Sequence, residues 1–242
     1  MAPAVSGLRM TTSDAVLGKP RVTELAPALA ILAAWAALLL AARGQQQGAG
    51  MDMASHPANV WASAAAGLPS WMLMTVAMMG PAALARFRYV GRAAARPVRE
   101  LAGFVVAYLA VWAAFGFLAQ AIAAAIPGVP GPAALALTLL AAAAWQLTPV
   151  KRHLLRRHKN PGQEPASSPL AGGARYGLCC VGACWSLMLV MVAAPTGQLL
   201  WLAGLTILIT AERVFPNLVT PSAGAAALGV AAVATLAVAG LL

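Results

Sequence analysis

All three cysteines of this chain lie between residues 179 and 184, at the start of a long apolar run. Such closely spaced cysteines in an apolar helix do not make a disulfide framework, so reduced thiols or a metal site are the better interpretations. Cys180, Cys184 and Met188 recur every fourth residue and therefore share one face of a helix. Cys179 points about 100° away from that face. Thiol and thioether sulfur without carboxylates selects a soft metal ion, with Cu(I) as the leading candidate.

A second group of sulfur-containing residues lies about a hundred residues earlier in the chain. Met74 and Met78 have the same four-residue spacing, and Met79 follows Met78 directly. Pro81 cannot donate a hydrogen bond to the carbonyl of Ala77, so it frees a backbone oxygen beside Met78. Because methionine and cysteine are also ordinary packing residues of membrane helices, a purely structural role for both groups is the alternative interpretation.

The composition is that of an integral membrane protein. Of the 242 residues, 61% are hydrophobic and 9% are charged, and the apolar residues form long runs between short basic clusters. The formal net charge is +10, and the distribution of Lys and Arg is typical of cytoplasmic loops that face anionic lipid. This pattern predicts the lipid bilayer as a partner and argues against binding to nucleic acid. The abundance of Ala, Gly and Arg indicates a bacterial source, and hence the bacterial inner (plasma) membrane.

The apolar runs predict an all-α bundle of about seven transmembrane helices. Residues 1–24 are expected to form a cytoplasmic tail and residues 25–242 a single membrane domain, with the first helix retained and not cleaved as a signal peptide. The predicted spans are residues 25–42, 68–86, 101–126, 133–149, 176–194, 198–211 and 223–242. The loops at 86–100 and 150–175 hold eleven of the sixteen Lys and Arg residues, which places both loops in the cytoplasm. The N-terminus is then inside and the C-terminus outside.

This topology brings the two sulfur groups to the same depth. The second span runs inward and the fifth runs outward, so a rise of about 1.5 Å per residue places Met78 and Cys184 near the midplane. We therefore expect one intramembrane metal site with ligands from both spans: Met74, Met78, Met79, Cys180, Cys184 and Met188. No Asp, Glu, Lys, Arg or His falls in the middle of a predicted span, which argues against a proton-coupled mechanism.

The predicted outer loop contains a weaker metal signal. Met51, Met53 and His56 resemble the sparse Met/His ligation used for periplasmic copper capture, so they form a candidate outer point of metal capture. Incidental methionines in a loop are the alternative interpretation.

Polar residues near the predicted inner ends of the helices have structural interpretations. Gln146, Thr148 and Pro149 are assigned to helix packing and termination, with a polar lining role as the alternative. Glu212 and Arg213 are interpreted as a pair at the membrane interface. The sequence contains no P-loop, nucleophile elbow or paired-carboxylate site, so we do not expect an enzyme.

Three motifs carry a resemblance to a known family. They are Trp71-x-x-Met74-x-x-Ala77-Met78-Met79-x-Pro81, Gln146-x-Thr148-Pro149-x-Lys151 and Gly177-x-x-Cys180-x-Gly182-x-Cys184-Trp185-x-Leu187-Met188. In this order they resemble a bacterial family of predicted metal-binding integral membrane proteins, over about residues 68–216, with the first and last helices as less distinctive flanks. Ala183 and Tyr176 depart from the pattern, in which cysteine and histidine are common at these positions. The resemblance implies that the Met and Cys residues of the motifs are metal ligands used in copper handling.

The sequence therefore predicts a membrane protein that binds Cu(I) in a Met/Cys site and acts in metal handling or in the assembly of a membrane or periplasmic cuproprotein. Two alternatives stay open. One is a scaffold or partner subunit without metal, and the other is a small-solute transporter, for which the spans contain few polar residues.

Overall fold

The computed structural model describes residues 22–47, 59–125, 131–159, 168–194, 198–215 and 220–240. These residues are almost entirely helical and include no strand, which confirms the predicted all-α class. The eight helices, in chain order, are α1 Val22–Gln47, α2 Val60–Ala93, α3 Pro97–Ala125, α4 Gly131–Leu147, α5 Pro149–Lys159, α6 Pro169–Ala193, α7 Gln198–Val214 and α8 Pro221–Val238.

Five of these helices, α1, α2, α3, α6 and α8, are long and apolar enough to cross a membrane. A sixth span results if α4 and α5, which meet at an angle of 68°, cross together. The described helices therefore do not provide all seven predicted spans. Helix α7, with 17 residues, is shorter than the five candidate helices and is not one of them. The orientation of the termini and the division into a tail and one membrane domain stay predictions.

The bend between α4 and α5 falls at Thr148 and Pro149. Pro149 has no N–H with which to continue the hydrogen bonding of α4. The Thr148 hydroxyl instead accepts a hydrogen bond from the N–H of Lys151 at 3.2 Å, which caps the start of α5. The prediction of a loop at 150–175 is thus wrong over its first ten residues, which belong to α5, and over its last seven, which belong to α6. This extra helix explains why eight helices are found where seven were expected.

The second helix is also longer than predicted. It begins at Val60, where the side-chain oxygen of Asn59 accepts a hydrogen bond from the N–H of Ala62 at 2.7 Å. It ends at Ala93 and α3 begins at Pro97, so the predicted loop at 86–100 is largely helical. The predicted outer-loop residues Met51, Met53 and His56 lie outside the described residues.

Helix α3 lies between α2 and α6 and joins them, since α2 and α6 have little direct backbone contact. The close approach of α3 to α6 depends on glycine. A Cβ atom on Gly173 would lie 2.1 Å from the backbone oxygen of Phe104, and one on Gly177 would lie 3.3 Å from the backbone oxygen of Tyr108. Small residues at such contacts let helix backbones approach and gain van der Waals packing, which is the main attraction between helices in lipid.

Helices α1, α7 and α8 complete the bundle. Helix α1 packs against α2, and the indole N–H of Trp35 donates to the backbone oxygen of Ala77 at 3.1 Å. This is the carbonyl that Pro81 was predicted to leave free, so the freed acceptor is satisfied by the neighbouring helix. Helix α7 packs against α2, and α8 packs against α4.

Candidate functional site

The two cysteines that share a face of α6 lie in the interior of the bundle. Cys180 is 0% exposed and Cys184 is 1% exposed. The guanidinium of Arg213, in the last turn of α7, donates through Nη2 to both sulfur atoms, at 3.2 Å to Cys180 Sγ and 3.3 Å to Cys184 Sγ. The Tyr108 hydroxyl of α3 lies 3.3 Å from Cys180 Sγ. Three helices therefore bring a thiol pair, a phenol and a permanent positive charge together.

The local sequence explains this convergence. Cys180 and Cys184 are one helical turn apart, so their side chains lie side by side on α6. The glycines of α6 at positions 173 and 177 admit the backbone of α3, and Tyr108 is thereby placed against Cys180. Arg213 contacts the thiols through Nη2 alone, while its Nε and Nη1 atoms are buried and make no hydrogen bond to any described residue.

Four of the predicted methionine ligands lie in or against the same core. Met78, Met79 and Met188 are 0% exposed and belong to one buried cluster with both cysteines, and Met74 packs against it half-buried. Helix α3 lies between the backbones of α2 and α6. The methionines of α2 therefore share a buried cluster with the cysteines of α6 without the direct helix contact that was expected. Within the described part of the chain, no group of three or more His, Cys, Asp or Glu residues could hold a metal.

A second polar cluster lies where α5, α7 and the end of α4 meet. Lys151 Nζ and Glu212 Oε2 are 2.8 Å apart, and their side chains are 0% and 2% exposed. Gln146 donates through Nε2 to Glu212 Oε1 at 2.7 Å and accepts a hydrogen bond from Lys151. Helix α8 covers this cluster at Gly224, where an added Cβ would lie 3.0 Å from Glu212 Oε1. Lys151, Glu212 and Gln146 therefore provide hydrogen-bond partners for one another in the interior.

This cluster corrects the prediction that Glu212 and Arg213 form an interfacial pair. Neighbouring residues of a helix point about 100° apart, so the two side chains face different surroundings. Glu212 pairs with Lys151, and Arg213 contacts the thiols. Gln146, which was assigned to helix packing, is 0% exposed and hydrogen-bonded to both Lys151 and Glu212.

Another arginine of the bundle is surrounded by aromatic rings. The guanidinium of Arg86 on α2 lies 5.4 Å from the ring centre of Tyr89, 5.9 Å from that of Phe104 and 5.8 Å from that of Tyr176. Cation–π contacts of this kind offset part of the cost of removing the charge from water. Tyr176, which stands where the family pattern often has histidine, is thus part of an aromatic group beside Tyr108.

The sequence did not reveal Tyr108 or Arg213 as members of the thiol site. The available signal was the Glu212–Arg213 dipeptide at the end of an apolar run. Charged residues near the hydrocarbon region are costly unless they pair with other groups, so each of the two needed a partner. The sequence alone did not show that those partners were Lys151 and the cysteines.

Metal binding is chemistry that this arrangement can perform. A guanidinium does not give up its proton in proteins and cannot serve as a general base for a thiol nucleophile. Two adjacent thiols can lose their protons to a soft metal ion and hold it as a bis-thiolate. The methionine sulfurs of the same core are weaker, neutral donors of the same soft class.

Comparison with known proteins agrees with this chemistry. A family model described as PpoB2, copper chaperone, matches residues 68–239. No curated protein and no solved structure matches the chain. The match begins at the residue where the motif resemblance begins, and it continues through α8, which was expected to be a less distinctive flank. Residues 1–67, with α1 and the predicted outer loop, precede it. Since the match covers well over half of the sequence, this chain belongs to the PpoB2 copper chaperone family.

Proposed function

We propose that this chain is a membrane-embedded copper chaperone that carries Cu(I) as cargo on Cys180 and Cys184. The observation that carries the proposal is the pair of buried thiols, one helical turn apart, that share the guanidinium of Arg213 at 3.2 Å and 3.3 Å. Membership of a copper chaperone family supports copper as the metal. The soft character of sulfur donors supports the monovalent ion.

Binding at this site follows a simple balance. Cu(I) displaces the protons of two thiols, so that two protons leave and a bis-thiolate complex with one net negative charge forms. Met74, Met78, Met79 and Met188 then serve as thioether ligands that receive or release the ion. Because thioethers are neutral and weaker ligands than thiolates, they suit transfer and not storage.

The membrane setting is supported by the five long apolar helices and the basic segments between them. We place the protein in the bacterial inner membrane, with the N-terminus inside and the C-terminus outside. Met51, Met53 and His56 would then capture copper on the outer side. The recipient is a membrane or periplasmic cuproprotein. Release of the ion to that partner requires protons to return to Cys180 and Cys184.

The decisive experiment is the copper content of the purified protein after loading with Cu(I) in detergent. We expect stoichiometric copper on the natural protein and its loss in the double variant Cys180→Ser, Cys184→Ser. Cys179→Ser is the matched control, because this thiol lies on another face of the same helix turn and should leave the copper content unchanged. Copper retained in full by the double variant would refute the proposal and favour a scaffold without metal.

The methionines have their own test. Met188→Leu removes a thioether but keeps the volume, so a ligand role predicts weaker Cu(I) binding with little change in stability. Met191→Leu is the control on the same helix, since Met191 is also buried, at 7% exposure, but lies outside the predicted ligand set. Equal Cu(I) affinities for the two variants would remove Met188 from the site.

A further inference from the structure

We infer that Arg213 sets the net charge that the thiol pair accepts and thereby makes the site selective for monovalent soft cations over divalent ones. The cations concerned are Cu(I) and Ag(I) on one side and Zn(II) and Cd(II) on the other. This inference deepens the proposed function and rests on Cys180 and Cys184 being the copper ligands.

The geometry places one positive charge on both ligands at once. Arg213 Nη2 lies 3.2 Å from Cys180 Sγ and 3.3 Å from Cys184 Sγ, so a metal complex of the two sulfurs forms next to the guanidinium. Guanidinium groups keep their charge in proteins under all ordinary conditions. The Nε and Nη1 atoms of Arg213 have no hydrogen bond acceptor among the described residues, so no carboxylate neutralises this arginine within that part of the chain.

The other charges near the site cancel or lie elsewhere. Lys151 and Glu212 form an ion pair with each other at 2.8 Å, so together they add no net charge. Tyr108 is a neutral hydroxyl beside Cys180. The guanidinium of Arg86 lies over the rings of Phe104 and Tyr176. Arg213 is the positive charge in direct contact with both sulfurs.

The charge balance then separates the two classes of metal. A monovalent ion on two thiolates has a net charge of −1, and with Arg213 the site becomes neutral. A divalent ion on the same two thiolates has no net charge, and with Arg213 the site keeps a charge of +1 in an apolar interior. Uncompensated charge is costly in a low-dielectric environment, so the monovalent complex is favoured. Without Arg213 the preference reverses, because the divalent complex becomes the neutral one.

The test compares metal binding by four purified proteins in detergent: the natural chain, Arg213→Met, Arg213→Lys and the control Arg86→Met. Ag(I) and Cd(II) are titrated separately in competition with a chelator of known affinity, and sulfur-to-metal charge-transfer absorption reports binding. Arg213→Met should weaken Ag(I) binding about 10- to 100-fold, because the bound thiolates lose a hydrogen bond and a contact with a positive charge. The same variant should bind Cd(II) more tightly than the natural chain does.

The remaining variants and outcomes keep the inference open to refutation. Arg213→Lys keeps the charge and should keep the preference for Ag(I), and Arg86→Met removes a bundle charge away from the thiols and should change neither affinity. Tighter Cd(II) binding by Arg213→Met, measured together with a native circular dichroism spectrum, distinguishes the loss of the charge from misfolding. A misfolded protein would not show both. An unchanged ratio of Ag(I) to Cd(II) affinity in Arg213→Met would overturn the role of Arg213 while leaving the thiol site intact. If the double variant Cys180→Ser, Cys184→Ser instead binds Ag(I) as tightly as the natural chain does, the proposed function is overturned, and the inference with it.

Discussion

The buried ion pair of Lys151 and Glu212 gives the sharpest prediction about stability. Both side chains are at most 2% exposed, and Gln146 is the third member of their hydrogen-bonded cluster. Lys151→Met removes the ammonium group but keeps an unbranched chain of similar length. The carboxylate of Glu212 then loses its counter-charge and retains the hydrogen bond from Gln146 Nε2.

The expected cost follows from this geometry. Removing one partner of a buried pair leaves an uncompensated charge and typically costs about 3–5 kcal/mol. Replacing both partners by uncharged residues is often close to neutral. The double variant Lys151→Met, Glu212→Gln should therefore recover most of this cost and be more stable than Lys151→Met alone.

The assay is reversible denaturant unfolding of the purified protein in detergent, followed by circular dichroism, for both single variants and the double variant. Arg152→Met is the matched control, because it also replaces a basic side chain by methionine, at the next residue, whose side chain is exposed. It should alter the free energy of unfolding by no more than about 0.5 kcal/mol. The reasoning fails if Lys151→Met costs no more than Arg152→Met, or if the double variant is less stable than both single variants.

Two further predictions concern the helices that position the thiols. Gly173→Ala should destabilise the protein by about 1–3 kcal/mol, since the new Cβ would lie 2.1 Å from the Phe104 backbone oxygen and α3 would have to move. Gly229→Ala is its control, because nothing lies within 4 Å of the added atom, and thermal unfolding should show it as neutral or stabilised by roughly 0.5–1 kcal/mol. Tyr108→Phe should change the stability by about 1 kcal/mol or less and weaken Cu(I) binding less than Cys180→Ser does, since it removes a hydrogen bond to the ligand and not the ligand. Chelator competition measures this, and a loss of copper as large as that of the cysteine variant would contradict it.

Much of the local structure followed from the sequence. Long apolar runs have to satisfy their own backbone hydrogen bonds in lipid, so they predict helices, and the described residues are helical. The four-residue spacing of Cys180 and Cys184 placed them on one face, and both lie buried side by side. Pro81 predicted an unused carbonyl at Ala77, and the indole of Trp35 occupies it. The predicted parts of these results depend on residues close in sequence, for which helix geometry is a sufficient guide, whereas Trp35 lies 42 residues from Ala77 and was not predicted as its partner.

Helix ends and connections were predicted less well. The sequence placed basic loops at 86–100 and 150–175, but most of the first is occupied by the ends of α2 and α3, and α5 lies within the second. Charged residues are compatible with both loop and exposed helix, so composition could not distinguish them. Capping by Asn59 and Thr148 decided where α2 and α5 begin, and such caps are single hydrogen bonds that hydropathy does not register.

The sequence by itself determined that this chain is helical, with apolar runs long enough to cross a membrane, and that two thiols share one helix face. Only the tertiary structure decided what those thiols contact. Glu212 and Arg213 are neighbours in the chain, but they point about 100° apart, so one pairs with Lys151 and the other contacts both cysteines. Which partner each side chain meets depends on which helices pack together, and that packing depends on close approaches such as the one at Gly173, between residues distant in sequence. The charge beside the thiols, and with it the proposed choice of metal, is therefore a property of the bundle and not of the motif.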